Sequence, residues 1–547
     1  MKLSLEKCCE VLIGLVIAIS CLSLLNAVME PDGALYAGIS KTIVLRNDWL
    51  NLYVQGADWL DKPHLTFWLV AASFKLFGIS AFAYKLPSFL IVLLGTFYLY
   101  RFVRDHFNRE TALASVLIFF TALHVLISNS DVRAEGYLTA FIMAAVYHYN
   151  KARQGSFLHI VAGSFFAACA VMVKGIFVLV PVFGGFIIFW MLTKQWRELV
   201  NPKWQVAVLL IFIFIIPELY ALYVQFDLHP EKIIFGQQGV SGIRFFLWDS
   251  QFGRFFNTGP IKGKGDVSFF LHTTLWAFLP WSVLFYAAVV GLFRKTYRRS
   301  VLPAEMIIVW SSALLTFLLF SFSKFQLPHY ILVLFPQFSI ITAVYLLRLK
   351  EKGINVFFVV QNVIFIIVIV LLSAIAICFQ FQWYGLGVGI LVTVFAAAFY
   401  IFRGRSVKTI VGRNAMLSMG IMIFLYLFFY PAILQYQSGT LAGKWVADSE
   451  VAARPAVFKY NQSFSFDFYA RGEVQYLYSD GDLEKAMKQK NMVIYAPESE
   501  LPGLKSKYGA RVLKSFDYYR ITKLKAKFIL AGSRPSVLER FYLLKIN

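Results

Sequence analysis

Apolar runs long enough to cross a bilayer as helices, roughly 17–25 residues each, recur at about 9–28, 81–100, 111–128, 135–150, 156–172, 176–193, 205–224, 268–293, 305–320, 331–347, 354–380, 384–402 and 414–436. Inside hydrocarbon a chain must satisfy its own backbone polar groups, so a series of this kind folds as a bundle of spanning helices, about thirteen here. Composition agrees: 59% of residues are hydrophobic and 18% aromatic, above the roughly one half apolar residues of soluble domains. The fold class expected is a polytopic α-helical membrane protein.

Basic residues set the orientation. The net charge of +22 does not point to nucleic acid, because the cations fall as clusters between spans. Arg101, Arg104 and Arg109 form one, Lys151 and Arg153 another, then Lys194, Arg197 and Lys203; Arg294, Lys295, Arg298 and Arg299; Arg348, Lys350 and Lys352; and Arg403, Arg405, Lys408 and Arg413. With Lys2 and Lys7, all lie on one side of a thirteen-span arrangement, which the positive-inside rule makes cytoplasmic. The N-terminus is then inside and the C-terminus outside, provided that 156–193 is a hairpin turning at Val173-Lys174-Gly175. The first run lacks a small-x-small cleavage site and reads as a retained anchor. The five cysteines lie in or near spans, so no disulfide framework is expected.

Three regions depart from spans joined by short loops. The first outer connection, 29–80, carries amphipathic stretches at 34–46 and 64–77 that suit helices lying in the interface. The second, 225–267, is rich in glycine, aromatics and charge. From about 437 to 547 the apolar runs shorten to strand length (456–458, 474–477, 492–495) and alternate with a polar helical stretch near 482–490, which predicts a small α/β domain outside the membrane. Residues 1–436 and 437–547 are therefore expected as two domains. No inverted repeat of the transporter kind is evident.

The same topology brings scattered polar residues to one face: Asp32, Asp61, Lys62, Asp131, Arg133, Glu135, Lys174, Arg244, Arg254, Lys324, His329 and Tyr330. Charges beside a bilayer are costly without a partner or a task. Carboxylates with several cations around one hollow suit a phosphate leaving group: a carboxylate takes a proton from an attacking hydroxyl, and Lys and Arg stabilise the charge left on phosphate. Each residue also has a plainer reading. Asp32 would cap a helix starting near Ala34, Asp61-Lys62 would be a solvated pair, Glu135 a helix-dipole partner, and Arg254 and Lys324 would reach to headgroups.

Seven segments add a resemblance: Glu30-Pro31-Asp32-Gly33-Ala34-Leu35-Tyr36-Ala37, Asp61-Lys62-Pro63, Val173-Lys174-Gly175, Gly253-Arg254-Phe255, Leu279-Pro280-Trp281, the run from Ser323 through Lys324 to His329-Tyr330, and Pro336. In order across about 10–436, they resemble the GT-C membrane glycosyltransferases, specifically the lipid A aminoarabinose transferase and protein O-mannosyltransferase superfamily. The resemblance implies a multi-span body with interfacial helices in the first outer loop and a periplasmic C-terminal α/β domain. It also implies an enzyme of a bacterial inner membrane that moves a sugar, with inversion, from a polyprenyl-phosphate (undecaprenyl-phosphate) donor to an outer acceptor. A lipid A-like glycolipid is the expected acceptor, with a protein as the alternative.

By the same resemblance Asp32 is the general base. Lys62, Arg254, Lys324 and Tyr330 hold the donor phosphate, and Asp61 sits at that phosphate or on a divalent metal. No other cofactor is implied; the partners are the donor, the acceptor and membrane lipids. The chain departs from the family pattern in four places, one of them Trp59-Leu60 where an aromatic Tyr-Phe pair is frequent. Asp61 stands where Glu is frequent, and Asp249 and Gln251 replace a metal-holding histidine. Arg133-Ala134-Glu135 replaces Arg-x-Asp, leaving Glu135 and Asp131 as alternatives for that acid. A flippase of lipid-linked sugars would share the hydrophobic body, but it predicts ionisable groups near the bilayer midplane.

Overall fold

The computed structural model describes residues 4–292, 303–449, 454–460, 463–488 and 491–546. The basic cluster Arg294, Lys295, Arg298 and Arg299, and Lys2, lie outside the described residues. The first eight helices are α1 (Leu5–Ser20), α2 (Asp32–Arg46), α3 (Leu65–Phe77), α4 (Ala81–His106), α5 (Arg109–Thr121), α6 (Leu123–Ser130), α7 (Ala134–Ala152) and α8 (Phe157–Lys174). Among the described residues eight helices are long and apolar enough to cross a membrane, or up to ten if each of two bent pairs is one span. The hydropathy count of thirteen is not matched helix for helix.

Local chemistry explains the breaks. The run 111–128 divides at Ala122, where α5 and α6 meet at 55°. The backbone groups freed there find partners on neighbouring spans: Leu123 N donates to the Leu279 carbonyl at 2.8 Å, and Ser418 Oγ donates to the Thr121 carbonyl at 2.7 Å. Trp281 Nε1 adds a hydrogen bond to Thr121 Oγ1 at 2.8 Å. A break inside hydrocarbon is tolerated only when its polar groups are satisfied in this way. The run 268–293, read as one span, forms two short helices, Phe269–Ala277 and Ser282–Leu292. Between them lies Pro280, which has no N–H to continue a helical ladder.

Helices α4 and α7 approach closely because Gly95 has no side chain: a Cβ there would lie 2.5 Å from Ala140 Cα. This contact fixes the outer end of α7, where the polar cluster begins. On α4, Lys85 is fully buried and donates to the carbonyls of Ser23 at 3.0 Å and Asn26 at 2.8 Å. It thereby closes the carbonyl end of the first span with a cation.

The first outer connection contains α2, α3 and the hairpin β1 (Tyr53–Val54) to β2 (Ala57–Asp58). Helix α2, read from sequence as interfacial, packs against the C-terminal domain, and Ala34, Ala37, Ile39 and Lys41 are buried. That domain is a five-stranded sheet of β3 (Arg454–Phe458), β4 (Gln475–Leu477), β5 (Met492–Pro497), β6 (Arg511–Tyr518) and β7 (Glu539–Ile546) in the order β4-β3-β5-β7-β6. Strand β3 pairs parallel with β4 and β5, while β7 runs antiparallel between β5 and β6. One face packs Leu483, Ala486 and Leu504. The other packs Ala442, Val446 and Phe466. Strands β6 and β7 had no sequence signal: β6 is half exposed and charged, and β7 mixes Arg540 and Lys545 into its apolar run.

Gly95→Ala should lower the unfolding temperature of the detergent-solubilised protein, because overpacking against a helix backbone costs about 1–3 kcal/mol. Unfolding at the wild-type temperature would contradict the close approach of α4 and α7.

Candidate active site

Asp32 is the first residue of α2, yet no side chain caps that helix start. Its carboxylate instead points across to Arg133, just ahead of α7: Asp32 Oδ2 accepts from Arg133 Nη1 at 2.5 Å. Arg133 also donates through Nη2 to Asp131 Oδ2 at 2.9 Å. One guanidinium thus serves two acids, a role that Arg fills better than Lys because its donors form a rigid fork. Burial raises the Asp32 carboxyl above the usual carboxylate range, and the positive charge of Arg133 pulls part of that shift back. Among the described residues Asp32 Oδ1 has no hydrogen-bond partner, and Asp131 Oδ1 is buried without one.

Glu135, in the first turn of α7, accepts from Lys174 Nζ at 2.6 Å. His329 joins the two groups, with Nδ1 3.4 Å from Arg133 Nη1 and Nε2 3.8 Å from Glu135 Oε1. Lys174 ends α8 and lies 3.5 Å above the centroid of the Tyr330 ring. The expected hairpin turn is present here. Gly175 has φ of 109°, and the Gln251 amide, which donates to the Lys174 carbonyl at 2.8 Å, occupies the space a Cβ would need.

A third group follows β2. Asp61 accepts from Lys62 Nζ at 2.6 Å and also from Arg254, on helix α9 (Ser250–Phe256). Against the burial that would raise it, Lys62 and Arg254 hold the Asp61 carboxyl below the usual range. The loop carrying Asp61 and Lys62 is anchored by Glu218, which accepts from His64 N at 3.0 Å and meets His64 Nδ1 at 2.9 Å. Both side chains of that pair are buried.

The structure therefore gathers Asp32, Asp61, Lys62, Asp131, Glu135, Arg254 and Tyr330 at one end of the bundle. Lys324 stands apart: its side chain is exposed and makes no ion pair among the described residues. Its backbone N donates to the Phe255 carbonyl at 3.1 Å. Arg133, Lys174 and His329 emerge as the connectors of the cluster. Arg133 and His329 adjoin Asp131, Glu135 and Tyr330 in sequence and Lys174 lies at the expected hairpin turn, but pairing across helices was not visible.

A cavity of about 80 Å³ opens beside Lys174, Gln251, Arg254 and Tyr330, with Leu138, Phe177 and Phe320 on its apolar side. A second cavity of about 380 Å³ is almost wholly apolar, with Glu30 and Asp131 its only charged lining residues. Asp131, Arg133, His329, Glu135 and Lys174 form a chain of contacts from one cavity to the other. A divalent cation fits poorly. Both oxygens of Asp61 already face cations, Asp249 lies 3.5 Å from Arg244, and Gln251 turns its amide to a backbone carbonyl. Among the described residues no three His, Cys, Asp or Glu side chains are grouped to hold a metal.

Comparison with known proteins bears on this arrangement. Residues 61–220 match the pattern of the dolichyl-phosphate-mannose-protein mannosyltransferase family. An uncharacterised protein of Aquifex aeolicus is 27% identical over 336 residues, 59% of this chain and 60% of that protein. The undecaprenyl phosphate-alpha-4-amino-4-deoxy-L-arabinose arabinosyl transferase of Edwardsiella ictaluri is 26% identical over 334 residues, 59% of this chain and 56% of that enzyme. The matches thus span less than two thirds of these relatives. The crystal structure of ArnT from Cupriavidus metallidurans bound to undecaprenyl phosphate is 16% identical and superposes with a TM-score of 0.75, covering 98% of this chain and 97% of that one. In sequence the chain is similar to this mannosyltransferase family and to the arabinosyl transferases, and along nearly its whole length it shares the fold of the ArnT structure.

Proposed function

We propose that the protein is an inverting glycosyltransferase of a bacterial inner membrane, taking a sugar from an undecaprenyl-phosphate carrier and passing it to a hydroxyl of a lipid A-like glycolipid at the periplasmic face. In this reading residues 1–436 form the membrane domain and 437–547 a periplasmic domain, with the N-terminus cytoplasmic. The observation that carries it is the sorting of charge across the cluster. Asp32, with one oxygen uncommitted, stands at one end, and Arg254 and Lys174 stand at the other beside a cavity with an apolar side, with Lys62 joined to Arg254 through Asp61. A carrier that is lipid at one end and phosphate at the other matches that cavity. The relatives named as undecaprenyl-phosphate arabinosyl transferases support the same donor class.

The reaction is a direct displacement. The acceptor oxygen forms a bond to the anomeric carbon as the bond from that carbon to the phosphate oxygen breaks, and the hydroxyl proton passes to Asp32 Oδ1. Arg133, on Oδ2, orients the carboxylate and keeps it ionised against burial. Lys62 and Arg254 receive the charge that develops on the phosphate, with the Tyr330 hydroxyl as a further donor; Asp61 holds these two cations in place and shares them with the donor. Lys324, exposed and apart from the cluster, is left out of the phosphate site, and Glu135 fixes Lys174. Of the two candidate acids after α6, Asp131 steadies Arg133 and Glu135 steadies Lys174. Neither replaces Asp32.

Transfer of labelled sugars from undecaprenyl-phosphate carriers to membrane-extract acceptors tests the reading. Asp32→Asn should fall by about 100- to 10,000-fold, the usual contribution of a general base, while still binding the donor. An unimpaired variant would remove Asp32 from that role.

Activity should also be lost as pH falls, with a midpoint above the ordinary Asp value of about 4, because a protonated Asp32 cannot accept the acceptor's proton and its pKa is raised. Arg133→Gln removes the cation that favours the ionised form, so its midpoint should move upward. A midpoint that stays or falls contradicts the pairing.

Truncating the phosphate contacts should read differently again. Lys62→Ala and Arg254→Ala are expected to raise the donor KM and lower kcat, since they touch the phosphate before and during bond breaking. Unchanged donor kinetics in both would place the phosphate elsewhere.

A further inference from the structure

Residues 28–30, which lead into Asp32, are held almost entirely by the C-terminal part of the chain. The Glu30 carboxylate accepts from Ser465 N at 2.8 Å and from Ser465 Oγ at 2.5 Å. Its backbone N donates to Gln437 Oε1 at 2.9 Å, and Gln437 Nε2 donates to the Val28 carbonyl at 2.9 Å. Val28 N donates in turn to Tyr469 Oη at 2.8 Å.

The helix that begins at Asp32 is gripped further along by the same element, α10 (Phe464–Tyr469). Lys41 is buried and donates to the carbonyls of Asp467 at 2.5 Å and Ala470 at 2.7 Å. At the far end, Arg46 pairs with Glu473 at 2.8 Å. Glu30 itself faces the apolar cavity and is out of contact with Arg133 and the cations around Asp61. It touches neither the carboxylate that takes the proton nor the groups assigned to phosphate.

From this geometry we infer that Glu30 is a positioning residue: through its two hydrogen bonds to Ser465 it lets the C-terminal domain set where the Asp32 carboxylate stands relative to Arg133. The inference rests on Asp32 being the base. Its consequence is that the C-terminal domain contributes to the chemical step, besides any part it plays toward the acceptor. A displacement of about 1 Å at a catalytic group is enough to cost roughly 100-fold, and losing both bonds loosens the turn that ends at Asp32 while its backbone stays tied to Gln437 and Tyr469.

The conservative substitution separates position from charge. In Glu30→Gln the side-chain oxygen can still accept from both donors of Ser465, so kcat should stay within about threefold of wild type. Glu30→Ala should lower kcat by about 10- to 100-fold with little change in the donor KM, as expected for a shifted base. Ser465→Ala, which keeps the backbone bond, should fall between them, and the double variant should be no worse than Glu30→Ala alone. Hydrogen exchange of the full chain in nanodiscs supplies a readout that needs no turnover: amides of 28–37 should exchange faster in Glu30→Ala and regain protection in Glu30→Gln.

Several outcomes would overturn the inference. Wild-type kcat in folded Glu30→Ala, with Asp32→Asn inactive, would make Glu30 merely structural. Equal damage from Glu30→Gln and Glu30→Ala would mean that its charge acts directly. If Glu30→Ala does not fold, a Ser465→Ala variant with unaltered kcat and exchange would dismiss the tether. An active Asp32→Asn, or a wild type that transfers no sugar, would instead refute the assignment of the base, and this inference with it.

Discussion

The guanidinium of Arg133 is the contact on which the outer end of the bundle depends. It sits one residue before α7 and binds Asp131 and Asp32 together. It thereby joins the membrane body to α2, an element belonging to neither the spans nor the sheet. Two acids this close would repel each other in a partly buried setting. Removing one partner from such an assembly costs about 3–5 kcal/mol, because a charge is left without compensation. The position of Arg133 is set by how α7 packs, and that packing relies on the near contact of Gly95 with Ala140. Helix packing within the membrane is therefore coupled to electrostatics at its surface.

From that anchor the charges sort by side. α7 presents Arg133 toward the acids and Glu135 toward Lys174, so each flank of the cluster is neutralised by a residue from the same helix start. The Lys62, Asp61 and Arg254 group does the same on a loop, itself fixed by the buried His64 and Glu218 pair. The loop bearing Asp61 and Lys62 is thus tied at a second point by a buried polar contact, which lets its charged side chains keep their places in a weakly screened environment.

Much of this was legible in the sequence, and for physical reasons. Apolar runs reported the membrane body because hydrocarbon imposes a length. The strands at 456–458 and 492–495 were visible because they are buried on both faces, and that at 475–477 because its apolar residues end in the buried Leu477. The first outer loop and its acids stood out because charge beside a bilayer is rarely idle. What the sequence hid was pairing between distant segments. Nothing near Glu218 announces that it holds His64, and nothing near Lys41 says that its ammonium ends in the carbonyls of α10. The burial of α2 was missed for the same reason: its exposed-looking residues Lys41 and Ser40 are covered by a domain more than 400 positions away in the chain. The breaks at Ala122 and Pro280 escaped a hydropathy reading because they change direction without changing apolarity.

The place of β7 in the sheet carries a consequence for biogenesis. It follows β5 and β6 in the chain, yet it lies between them, where it supplies Phe541, Leu543 and Leu544 to the cores on the two faces. Until residues 539–546 emerge, β6 has no neighbour and both cores lack a wall. Translation proceeds from the N-terminus, so the spans are made while the surface that receives α2 is still incomplete. The segment bearing Asp32 is made well before the surface that seats it, and that surface is complete only when β7 closes the sheet.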